Sequence, residues 1–292
     1  MGHGWLGGRG GGRHARRTHA LVGTAVAVLS VATAVTCAIV LINPTTGAVQ
    51  VASRMANTAG PVPLRAPGAP SILTGGEPFD GTPAVGALFT LSGGKLVRHF
   101  CTASVVDSPH GDLVITAAHC VTGKSPSQIA FVPAYHSGLA PFGVWLTSVV
   151  LADSAWQTSA DPDHDVAFLV VHQEGRSTPV QDLTGGEQLG IDWPIRAWVQ
   201  VIGYPDATQQ PITCQNESKP LGQHQMEFDC GGYTNGTSGG PFLGGVNPST
   251  GTGTVIGVIG GYEEGGDIAS VSYSPWFGSA VQALYLTAVA QG

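Results

Sequence analysis

Ser238 lies in the segment Gly236-Thr237-Ser238-Gly239-Gly240-Pro241. A serine hydroxyl is a weak nucleophile until it is held exposed and given a base. Glycines on both sides let the backbone turn tightly and leave room for a substrate carbonyl. They also let backbone N–H groups converge as an oxyanion hole. The chain holds 43 glycines, so this motif alone does not separate a nucleophile from an ordinary turn. The base such a serine needs is offered by Thr116-Ala117-Ala118-His119-Cys120, which follows the strand-like run Leu113-Val114-Ile115. Small residues beside His119 let the imidazole pack close to its neighbours, and the adjacent cysteine can fix the loop covalently. The chain has 10 histidines, and this context singles one of them out.

Catalytic groups far apart in sequence need a rigid frame. Between residues 83 and 272, eleven short apolar runs alternate with Gly, Pro, Asp and Ser, among them Val85 to Leu91, Phe100 to Val106, Val166 to His172 and Ile268 to Ser272. Short strands broken by turn signals, with only 11% charged residues, predict an all-β body. Trp276 to Val289 differs: Phe277, Val281, Leu284 and Ala288 follow a helical spacing, which predicts a terminal helix.

Charge and cysteine content place the body. Arg9, Arg13, Arg16 and Arg17 precede an uncharged apolar run from Ala20 to Ile42. This is the pattern of a signal sequence, and the run is also long enough for a signal anchor. Both readings export the body, either as a secreted protein or as an extracellular domain on a membrane anchor. The part after residue 42 carries 8 basic and 19 acidic side chains, a net of −11, which argues against nucleic-acid binding. Residues 1–42 thus form the targeting region and residues 43–75, rich in Pro, Gly and Ala, a linker or propeptide. Residues 76–292 form the folded domain. Cys37 falls inside the apolar run. Cys101, Cys120, Cys214 and Cys230 read as two disulfides with three possible pairings. Their spacings do not resemble a metal-binding knuckle, so no metal is expected.

The two motifs, in this order, resemble the trypsin-like (chymotrypsin-fold) serine peptidase family of the secreted bacterial type, over roughly residues 83–289. The resemblance implies two packed six-stranded antiparallel β-barrels with a C-terminal helix. It implies a carboxylate between His119 and Ser238, ahead of a buried strand, and Asp165 before Val166-Ala167-Phe168-Leu169-Val170-Val171 fits. Asp161 and Asp163 compete nearby, and His164 is a neighbour. The family places a cysteine before the histidine in a segment like Phe100-Cys101-Thr102-Ala103-Ser104, which implies a Cys101–Cys120 bridge. Cys214–Cys230 then resembles a loop-closing bridge of secreted bacterial members.

The same resemblance implies an exported serine endopeptidase acting on polypeptides through an acyl-enzyme, as a monomer without a cofactor. His119, Asp165 and Ser238 would form the triad, with the N–H groups of Gly236 and Ser238 as oxyanion hole. Gly257 to Tyr262 resembles the strand that pairs with substrate, so Gly260, Gly261 and Tyr262 are expected to bind it, along with Gly232 in the specificity pocket. Two departures stand out. Thr237 occupies the position of the Asp that pairs with a new N-terminus in animal members. Gly232 stands where trypsin has its acid, which removes that reason to expect a preference for Arg or Lys. The alternative from another class is a secreted binding protein on a peptidase fold without turnover.

Overall fold

The structure, a computed structural model, describes Gly2 and residues 74–292. The basic block, the apolar run with Cys37 and nearly all of the 43–75 segment lie outside the described residues. Among the described residues no helix is long and apolar enough to cross a membrane.

The first half holds β1 (Glu77–Pro78), β2 (Val85–Ser92), β3 (Lys95–Val105), β4 (Leu113–Thr116), β5 (Ile129–Pro133), β6 (Trp145–Ala152) and β7 (Ala167–His172). Strands β2 to β7 close a barrel in the order β2-β3-β4-β7-β6-β5, and every pairing in it is antiparallel. Closure leaves no open edge. β4 and five of the six residues of β7 are buried, so they read as continuous apolar runs and do not alternate. The cover on one side is the C-terminal helix Ser279–Val289, whose Val281 and Ala288 join the same core. Tyr285 of this helix meets Phe168 of β7 edge-on at 5.8 Å. The helix begins later than its apolar spacing predicts, because the backbone at Gly278 is still extended, at φ −110° and ψ −156°.

The second half holds β8 (Gln188–Leu189), β9 (Trp198–Gly203), β10 (Ile212–Glu217), β11 (Lys219–Leu221), β12 (Gln225–Asp229), β13 (Pro241–Gly244), β14 (Thr254–Val258) and β15 (Val271–Pro275). Together with β1, these strands form a six-stranded sheet, β1-β10-β9-β13-β14-β8, and a three-stranded sheet, β11-β12-β15. Both sheets wrap one core, in which Met226 and Phe228 of the smaller pack with Val201, Phe242 and Ile256 of the larger. The seam between them is not a continuous ladder. The Val258 N–H donates to Ser274 Oγ at 2.9 Å and the Gly260 N–H to the Tyr273 carbonyl at 3.0 Å. One closed barrel is therefore present as expected, and the second half is a pair of sheets around a shared core. β1 carries the start of the domain onto the second half, far in sequence from its partner residues Ile212 and Thr213.

Candidate active site

Asp165 sits between a short 3₁₀ turn, Pro162–His164, and β7, so a buried strand fixes it from one side. The residue is 0% exposed. A buried carboxylate is tolerated only when its oxygens are hydrogen-bonded, and three donors meet this one. Oδ1 accepts the His119 backbone N–H at 2.8 Å, and Oδ2 accepts the Gly261 N–H at 2.8 Å. His119 Nδ1 lies 2.7 Å from Oδ2. Because a carboxylate only accepts, Nδ1 carries the hydrogen, and in the neutral imidazole Nε2 then holds the lone pair. Among the described residues the Cys120 sulfur, at 3.7 Å, is the nearest partner of Nε2, and no hydrogen bond joins Nε2 to Ser238. His119 itself lies on the single helical turn Ala118–Val121 that follows β4.

The competing acids have other tasks. Asp161 accepts the Asp163 N–H at 3.1 Å, and Asp163 faces His224 at 3.1 Å and Gln225 at 2.8 Å. His164 Nδ1 lies 3.0 Å from Asp153.

The Ser238 loop is held by its neighbours' backbone. Thr237 N–H donates to the Thr234 carbonyl, Gly239 N–H to Ile259 and Gly240 N–H to Thr237. Among the described residues, no acceptor meets the N–H groups of Gly236 and Ser238. Gly239 is required sterically: its φ is +79°, and a Cβ there would collide with Thr116 Oγ1 and the Thr102 carbonyl. Thr102 ties the loop to the first barrel. Its N–H donates to the Ser238 carbonyl at 2.7 Å, its hydroxyl donates to the Gly236 carbonyl at 3.0 Å, and the Tyr204 N–H donates to that hydroxyl at 2.8 Å.

His119 and Ser238 line one cleft of about 850 Å³. One wall comes from the first barrel, with Phe100, Lys124 and the Cys101–Cys120 bridge; the other comes from residues 233–238, Ile259 and residues 263–269. Cys101, His119 and Cys120 lie close enough to suggest a metal cluster. The two sulfurs are bonded to each other, so they are not free thiolate ligands. Cys214 and Cys230 form the second bridge, between β10 and the end of β12.

The residues expected to contact substrate stand differently. Gly232, at φ +96°, packs near Gly76, and its neighbours Tyr233 and Thr234 line the cleft in its place. Gly260 backs Asp165: a Cβ there would come within 2.8 Å of Oδ2 and 3.2 Å of Ala117 Cβ. The Gly261 N–H goes to Asp165 and the Tyr262 N–H to Gln225 Oε1 at 3.1 Å. This segment therefore spends its donors on holding Asp165 and its loop. Gln225, unnoticed in the sequence, spans the Tyr262 N–H, Asp163 Oδ1 and the Pro162 carbonyl. Thr237 has no charge for a new N-terminus to pair with, and its hydroxyl donates to the Thr234 carbonyl at 2.8 Å.

No curated protein sequence matches this chain. Among solved structures, the protease Anisep from Arthrobacter nicotinovorans is similar at 25% identity and a TM-score of 0.62, over 74% of this chain and 99% of that one. The thermostable serine protease AL20 from an extremophilic microorganism is similar at 27% identity and a TM-score of 0.61, over 72% of this chain and 99% of that one. A Glu endopeptidase shares the fold at 14% identity and a TM-score of 0.57, over 75% of this chain and 100% of that one. The family model described as a trypsin-like peptidase domain matches residues 101–258, more than half of the chain. The chain belongs to the trypsin-like peptidase domain family.

Proposed function

We propose that this protein is an exported serine endopeptidase in which His119, Asp165 and Ser238 act together. The observation that carries the reading is the fully buried Asp165 carboxylate bonded to His119, with His119 and Ser238 on one cleft. Ser238 Oγ attacks a peptide carbonyl while His119 Nε2 takes its proton. Asp165 holds the tautomer that leaves Nε2 free and stabilises the imidazolium. The unengaged N–H groups of Gly236 and Ser238 are the donors for the oxyanion, each worth roughly 3–4 kcal/mol in comparable sites. His119 then protonates the leaving amine, the acyl-enzyme forms, and water releases it. No step calls for a metal or organic cofactor. The N–H groups of residues 260–262 being committed, pairing of the substrate main chain with this segment falls to its carbonyls. Two disulfides suit an oxidising compartment, in keeping with export.

The test is turnover. The purified chain, incubated with unfolded casein in the presence of a metal chelator, is expected to release fragments with new N-termini. A folded chain that binds casein and leaves it intact would favour the non-catalytic reading.

Thr102 is a positioning residue on this account. Thr102→Val leaves the Gly236 carbonyl and the Tyr204 N–H unpartnered, a loss of roughly 2 kcal/mol in stability. Steady-state kinetics should show kcat lowered about ten-fold with KM changed less, because the oxyanion loop shifts and the cleft does not. Equal changes in both would contradict the assignment.

A further inference from the structure

Asn235 precedes Gly236, whose N–H is one of the two donors assigned to the oxyanion. Of the chain's five asparagines it alone is followed by glycine; Asn43 and Asn247 precede proline, Asn57 threonine and Asn216 glutamate. Asparagine is a thermolabile residue. Its side-chain amide is lost when the backbone nitrogen of the next residue attacks Cγ. Three conditions favour that attack: a side chain free to swing, a nitrogen bonded to no acceptor, and no Cβ on the following residue. All three meet here. Asn235 is exposed, and among the described residues its side chain makes no hydrogen bond. The Gly236 N–H has no acceptor among them either.

The two residues of this pair stand differently in the fold. Gly236 cannot be exchanged. Its φ is +94°, and a Cβ there would come within 2.5 Å of the Tyr204 carbonyl oxygen and of the Asp206 nitrogen. Asn235 gives the fold only its carbonyl, which accepts the Asp206 N–H at 2.8 Å. Any residue would supply that carbonyl, so the fold does not require the labile side chain. Ring closure does meet a barrier. The Thr237 N–H closes the turn on the Thr234 carbonyl at 3.1 Å, and the Asn235–Gly236 peptide must rotate away from Asp206 before its nitrogen reaches Cγ. The reaction is therefore slow in the folded chain.

We propose that Asn235 deamidates spontaneously through a cyclic imide with Gly236, and that this change switches off the oxyanion hole. The Gly236 nitrogen bonds to Asn235 Cγ, and its hydrogen leaves with the side-chain NH₂ as ammonia. Water then opens the imide to aspartate or isoaspartate. While the imide stands, its nitrogen bears no hydrogen and cannot donate to an oxyanion. After it opens, a new carboxylate stands beside the place where the oxyanion develops, and isoaspartate adds a methylene to the main chain of the turn. The loss of activity rests on the serine-peptidase reading; the covalent change does not.

The test ages the purified chain in neutral buffer and maps its peptides by mass spectrometry. Ser238→Ala, which cannot digest itself, is followed in parallel. In both, the peptide holding Asn235 should gain the mass of an amide turned acid, with isoaspartate present, while Asn216 and Asn247 stay intact. Fluorophosphonate labelling of wild type should fall in step, the modified molecules reacting about 10²-fold more slowly, the scale of one lost oxyanion donor. Wild type labelled before ageing, with its phosphonyl oxygen on the Gly236 N–H, should deamidate about ten-fold more slowly, the scale of one hydrogen bond. Asn235→Gln closes no five-membered imide and should hold its own starting labelling rate over the same period. Asn235 intact after labelling has decayed, or full labelling after Asn235 is modified, would overturn the inference and leave the peptidase reading standing. A fresh, folded wild type that takes no label would overturn the peptidase reading and the switch with it, while the mass of the Asn235 peptide still reports the covalent change.

Discussion

Asp165→Asn should lower kcat by about 10⁴ with little change in KM, the scale seen when the orienting acid of a comparable triad is neutralised. Both carboxylate oxygens are spent on N–H donors: Oδ1 on the His119 backbone, Oδ2 on Gly261 and His119 Nδ1. An amide has one acceptor and one donor. With its oxygen toward the His119 backbone, its NH₂ faces Nδ1, which must then accept, and the hydrogen moves to Nε2. The base is lost. With the amide reversed, the tautomer survives, but the NH₂ opposes the His119 backbone N–H in a fully buried place. In both orientations the charge that stabilises the imidazolium is gone. Asp163→Asn is the control, because that side chain faces His224 and Gln225. It should change kcat much less. Steady-state kinetics on the two variants separates the assignments, and a drop below ten-fold for Asp165→Asn would contradict the role given to it.

The second large effect is on stability. Glu187 is 0% exposed, where a segment of the second half meets the first barrel. Its N–H donates to the Val105 carbonyl, and its own carbonyl accepts the Asp107 N–H. Its Oε2 accepts the Gly253 N–H at 2.5 Å, and Oε1 has no partner among the described residues. Burial pushes the carboxyl up from 4.5 to about 8, partly offset by the Gly253 bond. The folded state therefore holds the proton more tightly than the unfolded chain. The stability this group contributes is full below pH 4.5 and is lost as the pH rises from there through about 8. The loss is on the order of 4 kcal/mol. Glu187→Gln removes the ionisation and so removes this slope. Denaturant unfolding of both proteins at pH 5 and pH 9 should show the gap between them move by that order in favour of the variant. Parallel pH profiles would show that the carboxyl finds a partner or water that neutralises its burial.

The parts of the site that sequence exposed are those with strong local context. His119 stands in a run of small residues after a buried strand, Ser238 stands among glycines, and Asp165 abuts a continuous apolar strand. The apolar runs likewise marked most strands of the closed barrel. β10, Ile-Thr-Cys-Gln-Asn-Glu, escaped because four of its six residues are polar and only Ile212 and Cys214 are buried. The run from Ile268 to Ser272 marked a strand three residues early: β15 begins at Val271, and Ile268 lies exposed on the cleft. Thr102, Gln225 and Glu187 could not be singled out, since their tasks arise from partners 134, 37 and 66 residues away. The backbone of residues 260–262 resembled a free edge, and its inward donors became visible only with Asp165 and Gln225 in place. Hydrogen bonds of that kind depend on topology, and local composition carries no trace of them.

The most direct test of the central claim is covalent labelling by a fluorophosphonate probe, with the modified residue located by mass spectrometry. The account predicts one adduct, on Ser238, that disappears in both Ser238→Ala and His119→Ala while the folded state of each variant persists. A folded wild type that takes no label, or an adduct on another serine that survives His119→Ala, would contradict it.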